Sequence, residues 1–235
     1  MALQSPDINI MIKAAEKAAR SLIRDFGEVE QLQVSRKGPA DFVSAADRRA
    51  EEVIHAELKK ARPGFGFLME ESGEIKGTDS DSRFIIDPLD GTTNFLHGIP
   101  HWCISIGLEE KGEMKAGVVY DPIKDEMFYA EKGQGAFHRR KRLRVSGRIN
   151  MDSAIITTGA PRRAGGGHEL FFKEQRAVWD LGASLRRYGA AALDLAYVAA
   201  GRFDAFWERD LKQWDTAAGL LMVKEAGGFL CDLDN

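Results

Sequence analysis

The sequence predicts a layered α/β fold in which helices and largely antiparallel sheet alternate. Three observations predict it. Apolar residues recur at three- and four-residue steps near both ends of the chain, period-two apolar runs joined by short turns fill the middle, and two of those runs end on carboxylates. The chain has 235 residues, with 33 Lys and Arg against 36 Asp and Glu, 44% hydrophobic and 29% charged. That composition excludes a disordered chain or a strongly basic one, and the length suits one domain of two fused halves, about 1–150 and 151–235. The only boundary in the pattern is the loop near Gly147 to Ser153. Charges interrupt every apolar stretch, so no segment is expected to span a membrane.

From Ile8 to Phe26 the positions Ile8, Met11, Ala14, Ala15, Ala18, Leu22, Ile23 and Phe26 form one apolar stripe, closed by Gly27, which is an amphipathic helix. Ser44, followed by Asp47, opens a second helix through Ala50, Val53, Ile54 and Leu58 to Pro63-Gly64. Phe65 to Met69 then reads as a buried strand ending at Glu70-Glu71, and Arg83 to Asp87 as another ending at Asp87-Pro88. Cys103 to Glu109 and Met114 to Tyr120 flank Lys111-Gly112 as a hairpin, and Asp125 to Glu131 and Leu143 to Ser146 extend the meander. Further on, the pattern predicts strands over Ile155 to Thr158, Leu185 to Tyr188 and Phe203 to Trp207. It predicts helices around Phe171 to Leu181, over Ala191 to Ala200, and from about Asp215 to Ala226 before Gly227-Gly228.

Met1 to Pro6 lacks the basic and apolar regions of a signal peptide, so a cytoplasmic protein is expected. Cys103 and Cys231 lie far apart in apolar contexts and read as buried reduced thiols, which leaves oxygen as the donor for any metal.

The most informative stretch is Asp87-Pro88-Leu89-Asp90-Gly91-Thr92-Thr93-Asn94. Pro88 holds Asp87 extended at a strand end, Asp90 falls in the turn that follows, and Gly91 permits a tight turn into a helix opened by Thr92 and Thr93. Alone, two aspartates three apart are an ordinary turn. A helix N-terminus beside two carboxylates accommodates an anion only if cations lie between them, which describes a metal-bridged phosphate site. Carboxylates, a carbonyl such as that of Leu89, and water suit Mg²⁺, and this many acids imply more than one ion.

These residues resemble the inositol monophosphatase family. The matching motifs are Phe84-Ile85-Ile86-Asp87-Pro88-Leu89-Asp90-Gly91-Thr92-Thr93-Asn94-Phe95 and Trp214-Asp215-Thr216-Ala217-Ala218-Gly219, the latter followed by Glu225-Ala226-Gly227-Gly228. Asp41-Phe42-Val43-Ser44-Ala45-Ala46-Asp47 and Phe67-Leu68-Met69-Glu70-Glu71-Ser72 match as well. The resemblance implies an α-β-α-β-α sandwich of the sugar-phosphatase type and a phosphomonoesterase acting on inositol monophosphate. It implies one magnesium on Glu70, Asp87 and the Leu89 carbonyl, and a second on Asp87, Asp90 and Asp215, with two or three ions in all. Thr92, helped by Asp47 and Glu70, would orient the attacking water, and the Gly91 and Thr92 N–H groups would hold the phosphate. Gly189, Ala191, Glu208 and Arg186 would line the polyol end, with Asp90 and Asp215 also facing substrate. A homodimer and inhibition by Li⁺ are family expectations. Family members continue past Cys231 with a further strand-and-helix unit that the 235 residues do not include, which is expected to leave a sheet edge open.

Other readings stay beside this one. Relatives of similar fold hydrolyse fructose 1,6-bisphosphate, histidinol phosphate or 3′-phosphoadenosine 5′-phosphate. Paired carboxylates also serve glycosidases, which need no metal. The run His138-Arg139-Arg140-Lys141-Arg142 is the cue for a regulatory protein bound to RNA or RNA polymerase, although the chain is acidic overall and a solvated turn at a hairpin tip accounts for the run better. Glu71 is expected to face away from the ligands, His97 and His101 to be solvated around a Gly-Ile-Pro loop, and Gly165-Gly166-Gly167 to be a flexible connection.

Overall fold

The computed structural model describes residues 4–28, 34–38, 41–161 and 166–232, of which 34–38 and 41–44 are described by backbone alone. Helix α1 (Pro6–Gly27) starts where Ser5 accepts the Ile8 N–H with its hydroxyl and Pro6 takes the first turn, which needs no N–H donor. Strands β1 (Val34–Gly38) and β2 (Asp41–Ser44) form a small hairpin that the sequence pattern did not announce. Helix α2 (Ala45–Ala61) follows and packs on α1.

A second sheet is built from β3 (Gly66–Met69), β4 (Gly73–Ile75), β5 (Ser82–Asp90), β6 (Cys103–Glu110), β7 (Glu113–Asp121), β8 (Glu126–Glu131), β9 (Gly135–His138) and β10 (Lys141–Arg142). Its order is β10-β9-β8-β7-β6-β5-β3-β4, and only the β3–β5 pair is parallel. Between β5 and β6 lies the short helix α3 (Thr92–Leu96). Successive side chains on a strand point to opposite faces, so Val118 joins the core under α1 and α2 while Val119 joins the core on the other side. That second face is covered by α5 (Ala191–Ala199) and α6 (Gln213–Glu225).

Beyond α5 lies a three-stranded parallel sheet, with β11 (Ile155–Thr158) between β12 (Ser184–Arg186) and β13 (Ala205–Trp207). Ile155 and Phe206 pack toward α5, while Val178 of α4 (His168–Asp180) packs with Ile156 and Leu185 of the small sheet. The layers are therefore helix, sheet, helix, sheet, helix, as the family resemblance implied. No helix of the described residues is long and apolar enough to cross a membrane.

Helix α6 lies unusually close to the large sheet. A Cβ on Gly117 would stand 2.9 Å from the Ala218 Cα, nearer than side-chain carbons normally approach backbone. Glycine on the strand and alanine on the helix set that spacing, which in turn sets how far the first turn of α6 reaches over the sheet.

Several boundaries differ from the sequence reading. Leu143 to Ser146 is not a strand: the Leu143 N–H donates to Ala136, but the Val145 N–H donates to Ala226 at the end of α6, so this segment leaves the sheet. β13 begins at Ala205 because the Arg202 and Phe203 N–H groups turn back to the Tyr197 carbonyl and close α5. Cys103 is buried as expected, but Cys231 is exposed, in a stretch past α6 with no strand beside it among the described residues. There Phe229 is 98% exposed. An open groove of about 1240 Å³ runs alongside β13, lined by Val145, Leu195, Phe206, Leu220 and Phe229 among others. The Asp41 to Ser44 side chains and Gly165 lie outside the described residues; Gly166 and Gly167, both at positive φ, lead into α4.

Candidate active site

Asp87 and Asp90 are three residues apart, so an unbroken strand would point them to opposite faces. The register shows how they come together. Asp87 pairs with Ser105 and Asp90 with Cys103, so β5 uses three steps where β6 uses two. This bulge follows from Pro88, which has no N–H for the ladder, and from Leu89, whose N–H donates to Asp87 Oδ1 at 3.0 Å. Asp90 is accordingly the last residue of β5 and not part of the following turn, a correction to the sequence reading.

β3 runs parallel to β5, and one step past its end the Glu70 N–H donates to the Ile86 carbonyl. Glu70 thus emerges beside Asp87, and their carboxyl groups are hydrogen-bonded. A residue the sequence reading passed over fixes this turn: Glu51, 2% exposed on α2, accepts the Glu71 N–H at 2.8 Å and the Ser72 hydroxyl. Asp47, 2% exposed, is one helical turn before Glu51 and on the same face. Glu71 points the other way, with its carboxylate 3.7 Å from Arg48.

Asp215 comes from the far side of the sheet, in the first turn of α6, where its Oδ2 accepts the Lys212 N–H at 2.6 Å. It therefore stabilises that turn from inside the helix, and Lys212 holds the cap position. Trp214 is held over β6 by the Ser105 hydroxyl, which donates to its carbonyl at 3.4 Å.

The electrostatics follow from this crowding. Burial first, then repulsion from Glu70, Asp90 and Asp215, pushes the Asp87 carboxyl well above the usual carboxylate range. Burial and Asp215 push Asp90 up as well, with smaller contributions from Asp194 and Glu208, while the Ala192 N–H at 2.7 Å opposes the shift. The Cys103 thiol, 3.7 Å from Asp90 Oδ2, is driven up by burial and by the same acids, so it is a neutral donor and not a thiolate.

Beside the acids is the turn that opens α3. Gly91 has φ of 93°, and a Cβ there would stand 3.0 Å from the His101 carbonyl and 3.2 Å from the Ala190 Cβ, so backbone and space both require glycine. The Thr92 hydroxyl donates to the Leu89 carbonyl at 3.0 Å. Underneath, fully buried Phe95 and Trp102 pack edge to face with centroids 5.1 Å apart, and Phe26 of α1 closes on both. Such contacts contribute about 0.5–1.5 kcal/mol each beyond burial and hold the turn from below.

The expected polyol end divides. The Glu208 carboxylate lies where a Cβ on Gly159 would be, and its charge reaches Asp90. A Cβ on Gly189 would stand 3.7 Å from the Asn94 amide nitrogen, and Ala191 opens α5 next to the Ala192 N–H that meets Asp90. Arg186 is exposed on β12 and turns back to donate to the Leu185 carbonyl. His97 is exposed as expected, but His101 is buried, with Nε2 3.3 Å from Asp194 Oδ1; its ring is covered by Tyr188 and Tyr197.

All of this fits hard divalent cations. The donors are carboxylate and carbonyl oxygens, the nearby thiol is protonated, and the raised proton affinities record a repulsion that a cation would relieve. Among the described residues no group of three or more acids, histidines or cysteines stands at metal-ligand spacing.

Similar sequences and the same architecture occur in other proteins. The chain is 58% identical over 227 residues to the inositol-1-monophosphatase of Mesorhizobium japonicum, covering 97% of this chain and 85% of that protein. It is 45% identical over 231 residues to the Nus factor SuhB of Pseudomonas aeruginosa, with 97% and 85% covered. The crystal structure of extragenic suppressor protein suhB from Bartonella henselae superposes with a TM-score of 0.93 at 60% identity, over 96% of this chain and 86% of that one. The sequence model of one family spans residues 3–235, and with them the acid-ended strands, the glycine turn and α6: the chain belongs to the inositol monophosphatase family.

Proposed function

We propose that this protein is a Mg²⁺-dependent phosphomonoesterase that hydrolyses inositol monophosphate to inositol and phosphate. The observation that carries the reading is the bulge in β5, which turns Asp87 and Asp90 toward Glu70 and Asp215 beside the Gly91 turn. Relatives named inositol-1-monophosphatase at 56–58% identity support the substrate.

Glu70, Asp87 and the Leu89 carbonyl would hold one Mg²⁺, and Asp87, Asp90 and Asp215 a second, with two or three ions in all. When bound, magnesium supplies the charge that offsets the carboxylates, lowers the pKa of water and steadies the leaving oxygen. The protein's own groups do the positioning. Thr92, Glu70 and Asp47 orient a water in line with the scissile bond, and the Gly91 and Thr92 N–H groups hold the phosphate. As the water oxygen bonds to phosphorus it gives up one proton to the Thr92, Glu70 and Asp47 group and the ester P–O bond breaks; the inositol oxygen takes a proton from a second water held by Asp90 and Asp215, and the hydroxide left there recovers the proton given up by the first water. Gly189, Ala191, Glu208 and Arg186 receive the polyol. We place the reaction in the cytoplasm, in line with two free thiols. We also expect a homodimer, in line with outward apolar side chains on α4 such as Phe172, 62% exposed.

The test is phosphate release from D- and L-inositol 1-phosphate, fructose 1,6-bisphosphate, histidinol phosphate and 3′-phosphoadenosine 5′-phosphate, with Mg²⁺, with chelator and with added Li⁺. Light scattering on the same preparation gives the mass in solution. The expected outcome is metal-dependent, lithium-inhibited release with inositol phosphate preferred, from a species of twice the chain mass. Preference for another ester would replace the substrate, and equal release in chelator would overturn the metal site.

A second reading, association with RNA or RNA polymerase, is favoured by the relatives named Nus factor SuhB. Its best surface is the β9–β10 turn, where Arg140 and Lys141 are exposed while Arg139 pairs with Asp125 at 3.0 Å. Neutralising Arg140 and Lys141 separates the two readings: phosphate release is expected to stay at the wild-type level, and any such association to be lost.

A further inference from the structure

We propose that Asp194 is a positioning residue of the acid cluster, acting through the first turn of α5 on Asp90 and held from both sides by Thr157 and His101. The inference rests on the phosphatase reading for its link to turnover, but its geometry stands on its own.

Helix α5 runs from Ala191 to Ala199, and all nine of its residues are buried. Asp194 is the one carboxylate among alanines, leucines, a valine and a tyrosine, and is itself 1% exposed. A leucine would satisfy such a helix at less cost, because burying a carboxylate is unfavourable unless specific partners are built for it. They are built here. Thr157 Oγ1, itself fully buried on β11, donates to Asp194 Oδ2 at 2.7 Å, and His101 Nε2 stands 3.3 Å from Oδ1.

What these partners hold in place is the turn that touches Asp90. Two residues before Asp194, the Ala192 N–H donates to Asp90 Oδ2 at 2.7 Å. Asp194 thus ties that turn to the small sheet through Thr157 and to the loop before β6 through His101. The His101 carbonyl in turn accepts the Asn94 amide at 2.7 Å, and the same amide donates to the Tyr188 carbonyl at 2.8 Å. The His101 ring also stacks on Tyr188 at 4.8 Å. A closed circuit results: α3, the His101 loop, the Tyr188-Gly189 turn and α5 are linked around Asp90. Groups behind a ligand that fix its orientation typically change metal affinity about 10–100-fold when removed.

The experiment uses the full chain and three variants, Asp194→Leu, Asp194→Asn and Thr157→Val. Mg²⁺ alone is titrated by calorimetry without substrate, kcat and KM are measured on inositol 1-phosphate, and thermal melting monitors the fold. Asp194→Leu is expected to weaken Mg²⁺ binding and lower kcat by about tenfold or more, with a smaller change in KM for the ester. Thr157→Val should move both in the same direction by a few-fold. Asp194→Asn still accepts the Thr157 hydroxyl and should restore most of the loss, since it keeps the hydrogen bonds and gives up only charge. Variants that melt at a lower temperature but bind Mg²⁺ and turn over like the wild type would make Asp194 a core residue only and overturn the proposal. If Asp194→Leu does not fold, Thr157→Val decides, because it removes a single hydroxyl. A wild type that binds Mg²⁺ but releases no phosphate would defeat the phosphatase reading, while the Mg²⁺ affinities would still decide the role of Asp194.

Discussion

Asp87→Asn should abolish phosphate release, by about 10³-fold or more, which corresponds to about 4 kcal/mol of barrier. Asparagine has nearly the same shape and can still accept the Leu89 N–H through its Oδ1, so the β5 bulge should survive. What disappears is the charge proposed to bridge two cations. Without metal the sign of the stability change is opposite to that of the activity change. Asp87 is 2% exposed and pressed by Glu70, Asp90 and Asp215, so its neutral analogue should raise the melting temperature in chelator. For a chain of this size, each kcal/mol corresponds to about 2–4 °C. Loss of activity together with loss of the folded melting transition would assign Asp87 to the fold, and retained activity would remove it from the chemistry.

The metal-free protein should lose stability as pH rises, and saturating Mg²⁺ should remove that loss. Asp87 and Asp90 both have proton affinities raised above the ordinary aspartate value of 3.8. The folded state therefore binds more protons than the unfolded state between that value and the raised ones, and the slope of unfolding free energy against pH is negative there. This contribution is fully present below the ordinary value and is lost as pH climbs through the raised ones. Mg²⁺ replaces the protons, and at 100 times its dissociation constant a ligand adds about 2.7 kcal/mol. Urea melts between about pH 5 and about pH 8, with chelator and with Mg²⁺, measure both effects. Superimposable curves in the two conditions would mean that the acids hold no cation.

How much of this was legible in the sequence depends on how local each signal is. Helices α1 and α2 and the meander from β6 to β8 were readable because amphipathic periods of 3.6 and 2 are written into consecutive residues. The Asp87 to Asn94 segment was readable because proline and glycine restrict the backbone regardless of surroundings. The bulge was not, since it exists only in the register against β6. The β1–β2 hairpin lacks an alternating apolar run, and the Leu143 to Ser146 strand failed because Val145 found its partner at the end of α6, far along the chain. His101 shows the same limit most clearly. Beside Gly98, Ile99 and Pro100 it reads as a loop histidine, and only tertiary structure brings Asp194, Tyr188 and Tyr197 to it. Asp194 carried a signal that could have been found: one acid in an otherwise apolar helical run.

The approach of α6 to the sheet at Gly117 has a consequence for how the protein is made. Asp90 and Asp215 are 125 residues apart (215 − 90), and α6 reaches the sheet only after nearly all of that chain exists. At ribosomal speeds of about 5–20 residues per second, β5 waits roughly 6–25 s for the helix that completes its acid cluster. Until α6 docks, Asp87 and Asp90 lack the repulsion that Asp215 adds to their raised proton affinities. Docking of α6 is the step that concentrates the charge, so competence for chemistry and the greatest electrostatic strain arrive in the same late event of biosynthesis.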